Sequence, residues 1–305
     1  MSDFLRVLDR SGDELLELVE LAVELETRFV HRREFRPLAG YRMAMWWDGE
    51  GFRNRAAFEL GASVLGAESV EIPGAVGDRE DLGDMGAYLG NWFDAVVVRT
   101  PSLRALASLA SATSAMVVNA RTNHNHPCEI LGDLAFLHAS GHDISDHTDV
   151  VFVGEATNLC HSWFEAAGVL PISVTQVCPP GFEVDLQRWH ELVPTPIGTV
   201  TVTHGLDGLL HDADVVYTDC WPADADETTK DSFRELQITA HLLDQCSPTT
   251  NFLPCPPVSR GEEVTAEAMI HPTCRVVDAK RWLLHAQNAL LIRGLLDGGE
   301  TQAHT

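Results

Sequence analysis

The sequence predicts an α/β protein: two doubly wound parallel-sheet α/β domains joined by helices, with a C-terminal helix packing back on the first domain. Three observations carry that expectation. Short runs rich in Val, Ile and Met alternate with segments whose apolar residues recur at helical spacing, the signature of β-α units around a parallel sheet. The alternation restarts after Gly141, so a second sheet follows the first. The last segment, DAKRWLLHAQNALLIRGLL, repeats apolar residues at three- and four-residue steps and reads as a helix that returns across the junction. The expected domains are 1–140 with the C-terminal helix 278–297, and 141–277.

Taken in order, Asp13 to Phe29 is an amphipathic helix entered through the cap-like Ser11 and Gly12. YRMAMWW reads as a strand, FRNRAAFELGASVLG as a helix stopped by Gly66, SVEIP as a strand and DLGDMGAYLGNW as a helix. DAVVVRT, LRALASLAS and AMVVNA continue as strand, helix and strand. In the second half DVVFVGEA, PISVTQV, VTVTHG and DVVYTDCWP are short buried strands, separated by helical pieces such as NLCHSWFEAAG.

Bulk properties narrow the function. At 305 residues with 45% hydrophobic content the chain can bury a large core. Its formal charge of −24 excludes nucleic acid and anionic membrane as expected partners, because the net field repels polyphosphate, so any bound anion has to be held by local arginines. No run approaches the roughly 20 apolar residues of a membrane helix, and the acidic amphipathic N-terminus is unlike a signal; a cytoplasmic location is expected. The seven cysteines are scattered and never spaced as CxxC, which suggests reduced thiols rather than disulfides or a zinc ribbon.

In parallel sheets, functional groups gather where strands end and helices begin. Four segments have that placement: GFRNR after the first strand, Arg99 in VRT, HNHPCE, and Asp219 in DCWP. Arg53, Arg55 and Arg99 beside helix amides suit a phosphate, since guanidinium offers a bidentate fork; simple neutralisation of carboxylates in an acidic protein is the competing account. In HNHPCE, Pro127 suits the first helical position and Glu129 can help cap the amides, so His126 and Glu129 are either punctuation or chemistry. His124 and His126 alone make a poor metal site, and no metal is expected. A dinucleotide-binding enzyme is the generic alternative for an α/β chain, but no GxGxxG follows a strand, which argues against it.

The order of these motifs, with CPPVSRGEEVT near the end, resembles the aspartate and ornithine carbamoyltransferase family over nearly the whole chain. The likeness begins at FLRVLDRSGDELLELVELA, continues through REDLGDMGAYLGNWFDAVVVRT and FVGEATNLCHSW, and ends with a terminal helix. It implies a carbamoyl-phosphate domain, an acceptor domain, assembly as a homotrimer, and no metal or organic cofactor. The family's S-T-R-T-R phosphate motif is here Gly51, Phe52, Arg53, Asn54, Arg55: both arginines remain, the hydroxyls are gone, and Asn54 could donate through its amide. Arg99 matches the second phosphate arginine. H-P-x-Q, which holds the carbamoyl group, reads His126, Pro127, Cys128, Glu129. Glutamine offers a donor and an acceptor, whereas ionised Glu129 offers acceptors only. Three readings stand open: Glu129 accepts from the carbamoyl NH2, it is protonated, or the group bound there is cationic, such as an amidine.

On the acceptor side the resemblance assigns Asn158 to the acceptor's carboxylate and Asp219 to its amine. The histidine of H-C-L-P is missing from Pro254, Cys255, Pro256, Pro257, although Cys255 and the Pro256 carbonyl are kept, and S-M-G is replaced by Pro222, Ala223, Asp224. Standard ornithine is therefore not the expected acceptor; Asp219, Asp224 and Asp226 suggest a basic or polyamine-like amine, unless they form a solvated loop. Terminal A-E-N-R is similar to Ala279, Lys280, Arg281, Trp282, with Arg281 one place out of register.

The expected reaction moves a carbamoyl group from carbamoyl phosphate to an amine. Arg53, Asn54, Arg55 and Arg99 would hold phosphate, His126 the developing oxyanion, and Asp219 with Cys255 the acceptor amine. Glu129 and Arg281 would complete the donor site. The alternatives are an enzyme of the same scaffold with an altered donor or reaction, and a non-catalytic ligand-binding paralogue.

Overall fold

The computed structural model describes residues 3–49, 51–78, 80–206 and 208–296. The chain divides into two compact units, Met1–His142 with Lys280–Thr305, and Asp143–Ala279.

The first unit opens with α1 (Gly12–Val30), entered through a capping box in which Ser11 and Glu14 satisfy each other's amides. Leu15, Leu18, Val19, Ala22 and Leu25 form its buried stripe. There follow β1 (Arg42–Trp47), α2 (Phe52–Leu65), β2 (Glu68–Ile72), α3 (Leu82–Trp92), β3 (Ala95–Arg99), α4 (Leu103–Ala112), β4 (Met116–Arg121) and α5 (Pro127–Ala139). The four strands are parallel in the order β2-β1-β3-β4, so β1, β3 and β4 deliver their carboxyl ends side by side. Ala44, Trp46, Val96, Val98 and Val117 pack with Leu89, Leu106 and Leu109 in one core layer. β2, at the edge, is exposed along most of its length.

The second unit contains β5 (Thr148–Val153), α6 (Asn158–Val169), β6 (Ile172–Val177), α7 (Leu186–Leu192), β7 (Thr199–Thr203), β8 (Val215–Thr218), α8 (Glu227–Arg234), α9 (Ala240–Leu243) and β9 (Asn251–Pro254), and ends within α10 (Val276–Lys280), whose last residue, Lys280, belongs to the first unit. All its strands are parallel in the order β7-β6-β5-β8-β9. β9 was not expected, because its four residues precede a proline-rich turn and carry no alternation; it is buried throughout and completes the sheet beside β8.

The chain then returns to the first unit as α11 (Trp282–Leu296), which packs against α1, α2 and α5. The single C-terminal helix expected over 278–297 is two helices separated at Arg281, and residue 297 lies outside the described residues. Both α5 and α11 are buried on nearly every face, yet carry Glu129, Asp133, His285, Gln287 and Asn288 inside. Buried polar groups on such helices need partners, and those partners build the site.

Candidate active site

In the first unit the carboxyl ends of β1, β3 and β4 supply Gly51, Arg99 and Arg121, and α5 begins six residues beyond Arg121. Helix α2 starts at Gly51 without a side-chain cap, so its first amides lack intrahelical partners and attract an anion. Arg99 lies against this terminus: a Cβ built on Gly51 would stand 2.7 Å from Arg99 Nη1 and 2.9 Å from Cζ. Gly51 also holds a φ of +155°, which side chains disfavour. Burial, and then the like charge of Arg121, lower Arg99 to about 10, so it remains a cation at neutral pH; its Nε is buried without a hydrogen-bond partner. Arg53 packs its guanidinium 5.0 Å from the ring centre of Phe52 and acts electrostatically on Glu129.

His126 is the N-cap residue of α5 and is buried. Its Nε2 lies 3.4 Å from Asn54 Nδ2 and 3.5 Å from Glu129 Oε2. Burial outweighs the neighbouring Glu129, and with help from Arg121, Arg99 and Lys280 lowers the imidazole to about 4; it is neutral at pH 7. Asn54 donates to the Ala120 carbonyl, and its Oδ1 accepts from Gln287 Nε2 at 2.7 Å. Its side-chain amide is thus engaged in joining α2 to β4 and α11, and the expectation that it donates to phosphate is corrected: Asn54 positions His126.

Glu129 resolves one of the open readings. Lys280 Nζ stands 2.9 Å from Glu129 Oε1 and 2.8 Å from Asp133 Oδ1, and all three side chains are at least nine-tenths buried. Burial alone would raise Glu129, but Lys280 and then His126 and Arg53 more than offset it, and the carboxyl is held below its ordinary value. Glu129 is an anion with a counter-ion built into the fold, not a protonated acid.

Two expected donor residues go elsewhere. Arg55 places Nε 2.8 Å from Glu59 and Nη2 2.6 Å from Glu71, because two residues along α2 carry it to the side of the helix opposite Arg53, toward two carboxylates. Arg281, at the break between α10 and α11, reaches Glu26 of α1 at 2.9 Å with a mostly exposed side chain. His124 faces Arg6 at 3.3 Å. The sequence reading missed Arg121, Lys280 and Asp133. The signals existed: Arg121 ends the strand before His126, Asp133 falls one turn after Glu129, and Lys280 is one place from the residue chosen.

The second unit repeats the arrangement. Asn158, Asp219 and Cys255 follow the carboxyl ends of β5, β8 and β9, three neighbouring strands. Thr157 caps α6, and Asn158 is buried at its first position. Asp219 Oδ1 accepts from the Cys220 amide at 2.9 Å, and Cys255 donates its amide to Thr218. Cys255 is buried, and the Pro256–Pro257 peptide bond that follows is cis. The Cys220 thiol donates to the Pro257 carbonyl at 3.0 Å; burial first, and then Asp219 and Glu263, push it up to about 12, so it is no thiolate nucleophile. Glu155 is raised by burial, Asp219 and Asp224, which groups those carboxylates. Asp226 does not join them: it caps α8 by accepting from Thr229 at 2.8 Å.

Among the described residues no helix is long and apolar enough to cross a membrane, and no group of three or more His, Cys, Asp or Glu is placed to hold a metal ion. Residues 2–139 match the family model for the aspartate/ornithine carbamoyltransferase carbamoyl-P binding domain, and residues 146–293 match the model for the Asp/Orn binding domain. The chain is 31% identical over 301 residues to an ornithine carbamoyltransferase of Chlorobaculum tepidum, covering 95% of this chain and 89% of that one. It is likewise 31% identical to an ornithine carbamoyltransferase of Moritella profunda over 96% of this chain and 99% of that one. Among solved structures, ornithine carbamoyltransferase from Pyrococcus furiosus superimposes with a TM-score of 0.89 at 27% identity, covering 95% of this chain and 96% of that one. With both domain models matched in order along one chain of the same fold, this protein belongs to the aspartate/ornithine carbamoyltransferase family of transferases.

Proposed function

We propose that this enzyme transfers a carbamoyl group from carbamoyl phosphate to an amine other than ornithine, with the donor on the first unit and the acceptor on the second. The observation that carries the donor is the grouping of Arg99, Arg121 and neutral His126 around the uncapped start of α2. Fixed positive groups stabilise a departing phosphate, and a neutral imidazole donates one N–H to the oxygen of a tetrahedral intermediate without surrendering its proton. The amine attacks the carbamoyl carbon as a free base; the carbon–nitrogen bond forms, the bond to the phosphate oxygen breaks, and the amine's proton leaves with the phosphate. Asp219 and Cys255 orient that amine, Asn158 holds the far end of the acceptor, and the Pro256 carbonyl is a further acceptor group.

The transferred group is a neutral carbamoyl in this reading: Lys280 pairs with Glu129, and Arg53 and Arg99 also act on that carboxylate, which weakens the electrostatic motive for a cationic amidine even though Asp133 shares the lysine. The acceptor departs from ornithine because the histidine and S-M-G residues of the resembled motifs are absent, while Glu155 and Asp224 stand near Asp219. A homotrimer in the cytoplasm completes the proposal; sedimentation of the purified chain at monomer mass would remove the trimer. Purified protein given carbamoyl phosphate and a panel of amines, including ornithine and diamines, is expected to yield one ureido product by mass spectrometry with equimolar phosphate. Phosphate release with no ureido product overturns the proposal, and ornithine as the best acceptor overturns its specificity.

A further inference from the structure

Arg121 is the one guanidinium at the donor site that neither the motifs nor the resemblance assigned. It ends β4 in register with Arg99 at the end of β3, beside an irregularity at Val98 and Arg99, and the Thr100 amide donates to its carbonyl at 3.0 Å. Residues paired across parallel strands project to the same face, so the two guanidinium groups emerge together. Arg121 is the principal like charge acting on Arg99 and also acts on His126. Among the described residues its side chain has no hydrogen bond and no carboxylate partner, in a protein with 45 acidic residues and 21 basic ones. Other arginines without an ion pair, such as Arg104, Arg188 and Arg260, are exposed to solvent, whereas Arg99 and Arg121 are partly buried side by side. Arg99 too has no ion pair, and Glu129 and Asp48 act on it less than Arg121 does, so the two guanidiniums repel; a fold retains that repulsion where an anion relieves it.

Gly51 gives the pair its room. The family's motif has serine where this chain has Gly51, and a serine side chain here would begin 2.7 Å from Arg99 Nη1. Where the resembled motif carries hydroxyl donors, this chain sets a guanidinium close to the start of α2.

We propose that Arg121 is an anion-binding residue of the donor site, acting with Arg99 in the space left by Gly51, and that this pair replaces the hydroxyl donors the phosphate motif lacks. The identity of the phosphate as part of carbamoyl phosphate rests on the proposed function; the anion cradle itself does not.

The test is calorimetric titration of the full chain with inorganic phosphate and with carbamoyl phosphate across a range of salt concentration. R121M is expected to weaken both by roughly ten- to a hundredfold, the worth of one charge-assisted hydrogen bond, and to flatten the salt dependence; R121K should keep the salt dependence and recover part of the affinity. R104M, at an exposed arginine of α4, serves as the control and should bind as the parent does. G51S, which restores the family residue, should weaken binding instead of improving it. Binding by R121M within twofold of the parent, or tighter binding by G51S, overturns the proposal. A parent chain that binds carbamoyl phosphate yet forms no ureido product leaves the cradle standing and removes the carbamoyltransferase reading, so the two failures are distinguishable.

Discussion

Replacing Lys280 with methionine removes the cation shared by two buried carboxylates, Glu129 and Asp133, which stand one turn apart on α5. The lysine approaches them at 2.9 Å and 2.8 Å, and its side chain is only 9% exposed, so water cannot take its place. Breaking one partner out of a buried ion pair costs about 3–5 kcal/mol, far above the 0–1 kcal/mol of a surface pair. The pH dependence fixes the sign. In the parent, Glu129 is held below its ordinary value of 4.5, so its contribution to stability is present above pH 4.5 and is lost as the pH falls through the native value. In K280M the largest single influence, burial, becomes dominant and raises Glu129, so the folded state is penalised at neutral pH and the penalty shrinks as acid protonates the carboxyl. Urea unfolding of both proteins, followed by circular dichroism at pH 7 and pH 5, should show a deficit of about 3–5 kcal/mol at pH 7 that narrows at pH 5. A deficit under roughly 1 kcal/mol at pH 7, the surface-pair range, or one that grows toward pH 5, would refute the reasoning.

E129Q, by contrast, leaves Lys280 balanced by Asp133 alone and should fold with at most a modest loss, measured in the same unfolding experiment. R55M should leave carbamoyl phosphate affinity within about twofold in calorimetry, because that guanidinium is spent on Glu59 and Glu71 at a half-exposed surface. His126 is lowered to about 4 while the unfolded chain titrates near 6.5, so native stability attributable to it is complete above pH 6.5 and declines as the pH falls from there toward 4; H126Q should lose that limb of the stability profile. N54A deletes the groups joining Ala120 and Gln287 and should cost about 1–3 kcal/mol in urea unfolding, with a larger loss in kcat than in KM because His126 is no longer positioned.

The alternating elements were legible because each is a local pattern: Ser11 with Glu14 and the stripe from Leu15 to Leu25 dictate α1, and the β-branched runs of β3 to β6 can be buried only as strands. The same locality placed Arg99, His126 and Asp219 at strand ends, where parallel sheets collect their chemistry. Strand β9 was illegible, since four buried residues before a proline turn acquire meaning only beside β8. The direction of each charged side chain was also beyond the sequence. Arg53 and Arg55 are two places apart yet face different surroundings, and Lys280 and Arg281 are neighbours of which one is buried on Glu129 while the other reaches Glu26. Composition and periodicity by themselves determined two parallel-sheet layers and which ends of them could be reactive. Only tertiary structure decided which cations are paired and which are not, because an ion pair depends on separations of about 3–4 Å between residues far apart in the chain, and no local pattern encodes those.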